Sequence, residues 1–120
     1  MAFNIEHQYE ENPLACGQAV LAMLSGKTQS EIFRLVGTCR ETDLKTMKNT
    51  IESFGLKFVG ERKTVQNKNQ LPPLALLSLE TPKCWHWSLY FKGEFFDPEY
   101  GKTEEFPPSL RRYYWELSGF

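Results

Sequence analysis

Long apolar runs are missing from this sequence. No stretch reaches the ~18 residues that a membrane-spanning helix requires, so no span is expected. Charge of one sign is scarce too. Fourteen Lys and Arg against 15 Asp and Glu leave a formal charge of −1 and no basic run, which argues against a charge-driven nucleic-acid binder. Cysteine is sparse: three residues at unrelated spacings make no disulfide framework and suit a reducing compartment. There are two histidines and no C-x-x-C pair. A metal site would need Cys84-x-His86 joined by Cys16, Cys39 or His7, and that is a poor match to known ligand spacings, so no metal is expected. The N-terminus has neither a basic start nor an apolar signal core. A cytoplasmic location is the expectation, with delivery as an effector left open.

What the chain does hold is a core of ordinary size. Hydrophobic residues make up 41% of its 120 residues and aromatics 14%, enough for one domain over residues 1–120. No internal repeat or second domain is visible, and a monomer is expected. Residues 1–12 have neither a helical nor a strand period, and Pro13 turns Asn12 away from helix. A first helix is expected from about Ala15 to Leu24, stopped by Ser25-Gly26. A second takes Thr28 as a hydroxyl cap with Glu31 in its first turn, and ends at Gly37. A third takes Thr42 as cap, aligns Leu44, Met47, Ile51 and Phe54 on one face, and stops at Gly55.

The pattern then turns to strands. Leu56–Val59 is a short β run, and residues 61–65 either extend it or open a connection. Leu74–Leu79 reads as a central strand, Trp85–Phe91 as the strongest strand signal, Lys92-Gly93 as a two-residue turn and Glu94–Asp97 as the returning strand. Residues 99–103 read as a loop, and the tail around Pro107–Trp115 as a short helix or an extended cover. Helices first and strands after predict an α+β fold with a small antiparallel sheet.

Cys16 stands where the polar lead-in meets the buried helix. Backbone N–H groups are unpaired in a first turn and the helix dipole is positive there, a setting that favours a thiolate. Cys16 is therefore a candidate nucleophile, against the plainer reading of a small packed thiol. A thiol nucleophile needs a base, and the base an orienting group. His86 lies on the strongest strand. If Lys92-Gly93 is a two-residue loop, Phe91 pairs with Glu94 and Ser88 with Asp97, which puts Asp97 on the same face as His86, diagonally opposite. Cys39 and Cys84 read as packing or incidental thiols and His7 as an exposed lead-in residue. Trp85, Trp87, Tyr90, Phe95 and Tyr100 read mainly as packing, with a peptide groove as the alternative for some.

These pieces, in this order, resemble a known family. Cys16-Gly17 opening a buried helix, His86-Trp87-Ser88-Leu89-Tyr90 on a strand and Phe96-Asp97-Pro98 on the next look like the papain-like cysteine peptidases, nearest to the bacteriocin-processing type. The resemblance covers roughly residues 8–101 and implies a papain-like fold. It implies Cys16 as nucleophile, His86 as general base and acid, and Asp97 as orienter. Cleavage of a peptide or protein at a small-residue site is the first expectation, and no cofactor is expected. Such enzymes usually carry a Gln about six residues ahead of the cysteine whose amide helps hold the oxyanion. Here Gln8 stands eight residues before Cys16 and Glu10 six. Gln8 is the candidate donor and Asn12 the alternative. The same triad would serve protein glutamine deamidation or transglutaminase-like exchange, and a relative without full catalysis would be a peptide-binding module.

Overall fold

The structure, a computed structural model, describes residues 3–120. Three helices come first. In α1 (Cys16–Ser25) every residue from Gly17 to Leu24 is buried, and Gly26 closes the helix in the left-handed region with its N–H on the Ala22 carbonyl. α2 (Gln29–Val36) opens on a capping box: the Thr28 hydroxyl accepts the Glu31 N–H while the Glu31 carboxylate accepts the Thr28 N–H. Such a cap stabilises a helix by about 1 kcal/mol. α3 (Leu44–Ser53) buries Met47 and Ile51 and leaves Lys45, Lys48, Asn49 and Glu52 in water. Its cap is Asp43, one residue beyond the expected Thr42. The Asp43 carboxylate accepts the Thr46 N–H at 2.8 Å, while the Thr42 hydroxyl turns inward to the Met47 sulfur.

Six strands follow: β1 (Lys57–Thr64), β2 (Leu74–Glu80), β3 (Trp85–Phe91), β4 (Glu94–Asp97), β5 (Gly101–Thr103) and β6 (Arg112–Ser118). They form one antiparallel sheet in the order β1-β6-β2-β3-β4-β5. The domain is thus α+β, helices before strands. β2 is central as its apolar run predicts. Its side chains alternate between two apolar clusters: Leu74 and Leu76 face the helices, while Ala75, Leu77 and Leu79 face a smaller cluster with Val65, Tyr90, Phe95 and Tyr114. No helix among the described residues is long and apolar enough to cross a membrane.

Two expectations for the second half fail. The 99–103 stretch contains the edge strand β5, paired to β4. The tail is neither helix nor cover: β6 lies inside the sheet between β1 and β2. Tyr114 goes to one face while Trp115 and Leu117 go to the other, a strand alternation that Pro107-Pro108 and the paired Arg111-Arg112 disguise.

The β3–β4 hairpin sets the position of the site. Lys92 (φ 44°) and Gly93 (φ 93°) both take positive φ, as a tight two-residue turn demands, and Phe91 pairs with Glu94. His86 and Ser88 therefore share one face of β3 with Asp97 of β4, and Trp87 turns to the helix face. α1 packs on that helix face, and its first turn reaches β3 at His86-Trp87.

Candidate active site

Cys16 opens α1 half-buried, and its sulfur accepts the backbone N–H of Trp87 at 3.4 Å. That contact ties the first turn of the helix to β3 beside His86. Gly17 makes the approach possible. A Cβ there would collide with the Thr42 hydroxyl and come within 3.1 Å of the Met47 sulfur and 3.2 Å of the Trp87 ring.

The His86 ring is almost fully buried, and its Nε2–H donates to both carboxylate oxygens of Asp97, at 2.9 and 3.0 Å. The Cys16 sulfur, held by the Trp87 N–H, lies near enough to the ring to act on its charge. With Nε2 taken by the carboxylate, Nδ1 is the nitrogen left for sulfur. Burial works against the charged ring. The hydrogen bond to Asp97, the charge of that carboxylate and the nearby Cys16 sulfur override it, and the imidazole pKa is pushed up to about 10.

Asp97 is itself tightly held. It is fully buried and accepts the Ser88 hydroxyl at 2.7 Å and the N–H groups of Glu99 and Tyr100, each at 2.8 Å. Burial pushes its pKa up, but His86, the Tyr100 N–H and the Ser88 hydroxyl outweigh that and hold it below the ordinary value. One carboxylate thus does two things: it shapes the turn after β4 and fixes the imidazole.

The lead-in departs from expectation. Gln8 cannot serve the thiol. Its Nε2 donates to the Lys27 carbonyl at 3.4 Å, its Oε1 accepts from Gln29, and it lines a cleft with Met23 and Gly26 at the far end of α1. The physical reason is reach: residues 7–12 form no helix or strand of their own and run alongside the hairpin, so the chain has moved a helix length away by Gln8. Asn12 lies near the start of α1, but its amide is committed. Oδ1 accepts the Leu14 N–H and Nδ2 donates to the Cys39 carbonyl at 3.0 Å.

Glu10 is the lead-in side chain that faces the buried pair. Its N–H donates to the Pro98 carbonyl at 2.8 Å, and Gln29 holds its neighbours by the Tyr9 carbonyl and the Glu11 N–H. Carboxyl oxygen Oε1 is buried without a hydrogen-bond partner. Burial raises its pKa, helped by the negative charges of Glu99 and Asp97 and opposed by His86 and Lys83. His7, expected to be exposed, is half-buried and donates from Nε2 to the Asp97 carbonyl at 2.7 Å. Neither role is visible in the sequence, because the lead-in has no period to place its side chains. A lone Glu in such a segment gives no signal of burial.

Donors for a developing oxyanion do exist at the helix start. Ala15 makes no side-chain cap, and the first helical bond runs from the Ala19 N–H to the Ala15 carbonyl. The N–H groups of Cys16, Gly17 and Gln18 precede it and are not used within the helix. No group of three or more His, Cys, Asp and Glu side chains among the described residues is arranged to hold a metal. Cys39 and Cys84 are both exposed, in separate loops.

No family model matches the chain, and no curated protein matches it.

Proposed function

We propose that this α+β domain is a papain-like cysteine hydrolase, a peptidase that works through an acyl-enzyme on Cys16. The observation that carries the reading is that α1, β3 and β4 bring together a thiol, an imidazole and a carboxylate: His86 is buried on Asp97, and the Cys16 sulfur is held on the N–H of the next residue, Trp87. Such a set is what an activated thiol requires.

In the proposed reaction His86 holds the Cys16 proton. The thiolate adds to the substrate carbonyl carbon, forming a C–S bond and pushing the carbonyl electrons onto oxygen. The N–H of Cys16 and its first-turn neighbours receive that oxyanion. As the C–N bond breaks, His86 gives its proton to the leaving amine. A water then adds to the thioester, His86 takes its proton, and the acid departs as the thiolate re-forms. Asp97 keeps the ring aligned throughout.

The test is covalent capture. The protein is mixed with peptide thioesters and activated esters and followed by intact-mass spectrometry. An acyl adduct that maps to Cys16 and is absent from Cys16→Ala supports the reading. No adduct on Cys16 with any acyl donor contradicts it. With a protein substrate, ammonia release without chain cleavage would assign the leaving group as a glutamine amide rather than a peptide amine.

A further inference from the structure

A pocket of about 270 Å³ opens beside the thiol, with Cys16 and His86 in its wall. That is just under the ~300–1,000 Å³ of sites that enclose a drug-sized ligand. It suits one long side chain better than a small one. Two indoles, Trp85 and Trp87, form much of the remaining wall, and Glu41 is the acidic residue of the lining.

The cation in the pocket wall, His86, is already paired with buried Asp97. Among the described residues Glu41 takes part in none of the ion pairs. Arg111 lies over the Trp85 ring at 5.2 Å, but Nε and Nη2 are spent on Glu80 at 2.8 and 3.1 Å. No Lys or Arg lines the pocket. The backbone on either side of Glu41 is pinned. Gln18, fully buried, donates from Nε2 to the carbonyls of Thr38 and Arg40 at 3.0 and 2.7 Å, and the Trp87 indole N–H donates to the Thr42 carbonyl at 3.0 Å. A carboxylate without an ion-pair partner, beside two indoles in one pocket lining, matches a side chain with an aliphatic stem and a cationic head.

We infer that this pocket selects substrates with a lysine or arginine next to the bond that Cys16 attacks, with Glu41 as counter-ion and the indoles of Trp85 and Trp87 covering the stem. The inference rests on Cys16 as nucleophile, so its test has one arm that needs no chemistry.

In the first arm, Cys16→Ser protein is titrated with the N-acetyl amides of arginine, norleucine and glutamate while the Trp85 and Trp87 indole N–H signals are followed by NMR. The arginine compound should shift both signals and bind about tenfold more tightly than the norleucine compound, with Glu41→Gln erasing the difference. In the second arm, peptidyl acyloxymethyl ketones differing only in the residue beside the warhead compete for wild-type protein. The Cys16 sulfur forms a C–S bond and expels a carboxylate. Lysine and arginine probes should label about tenfold faster than leucine and faster still than glutamate, and Glu41→Lys should reverse the order of lysine and glutamate. Equal binding of all three amides, or a leucine or glutamate probe that labels wild-type protein fastest, overturns the inference. Iodoacetamide that still prefers Cys16 in the same sample would leave the nucleophile standing while the pocket assignment falls.

Discussion

Asp97 takes the His86 Nε2–H on both of its carboxylate oxygens, in a place where neither side chain reaches solvent. The pairing is costly to break from either side, because the group left behind is a buried charge. Asp97→Ala should destabilise the domain by about 3–5 kcal/mol and release the turn at Glu99 and Tyr100 as well. Asp97→Asn keeps the shape and can still accept the two turn N–H groups, so its stability loss should be smaller. Hydrolysis should nevertheless fall strongly in both, since an amide does not hold the imidazolium as a carboxylate does. Chemical denaturation and acyl-transfer rates on the two variants separate the structural from the catalytic effect.

The same pair gives stability a pH dependence of definite sign. The His86 pKa is raised from 6.5 to about 10, so its contribution is complete below 6.5 and is lost as pH climbs towards 10. The Asp97 pKa is lowered from 3.8, so its contribution is present above 3.8 and lost as pH falls through the folded value. Glu10 works the other way: raised above 4.5, it favours the fold below 4.5 and ceases to do so as pH rises through its folded pKa. The melting temperature should therefore peak in mildly acidic solution and decline from about pH 6.5 to 10. Asp97→Asn should flatten the alkaline decline. A wild-type melting temperature that is level across that range would contradict the assignment.

Glu10 should leave its own mark on reactivity. Its carboxylate, once ionised, faces His86 and Asp97, with Glu99 and Lys83 close enough to act on it. The rate of Cys16 alkylation against pH should show a step above pH 4.5, where Glu10 loses its proton. Glu10→Gln should remove that step and leave the remainder of the profile. An identical step in the variant would assign it to another group.

Gly17 is required by space, since a Cβ there meets Thr42, Met47 and Trp87. Gly17→Ala should cost about 1–3 kcal/mol through overpacking, despite the better helix propensity of alanine. It should also push α1 away from β3 and slow acyl transfer at Cys16. Thermal denaturation and acyl-transfer rates check both effects.

Much of this was legible because local signals and topology agree. Thr28 and Glu31 announce the start of α2, Gly26 and Gly37 announce helix ends, and Lys92-Gly93 fixes a register that brings Asp97 to the His86 face. The meeting of α1's first turn with β3 at Trp87 is not legible locally, since nothing in the sequence says which end of the sheet a helix start will meet. The errors lie where long-range pairing overrides local pattern. β6 reads poorly as a strand until β1 and β2 flank it. Gln8 looked suitable by type, but an irregular segment has no period from which its direction can be read, and its amide ends on Lys27 and Gln29. Glu10 stands at the family's Gln spacing but is of the wrong type for it, and nothing local marks Glu41 or the burial of Glu10, because both depend on what the fold places beside them.

The central claim is that Cys16 is an activated thiol, and competition among the three cysteines tests it most directly. Cys39 and Cys84 are exposed while Cys16 is half-buried, so access alone predicts that Cys16 reacts last. Wild-type protein is treated with limiting iodoacetamide at pH 7 and the modified peptides are quantified by mass spectrometry, alongside His86→Gln. The account predicts that Cys16 is alkylated first, and that this lead disappears in His86→Gln. Faster reaction of Cys39 and Cys84 in the wild-type protein would contradict it.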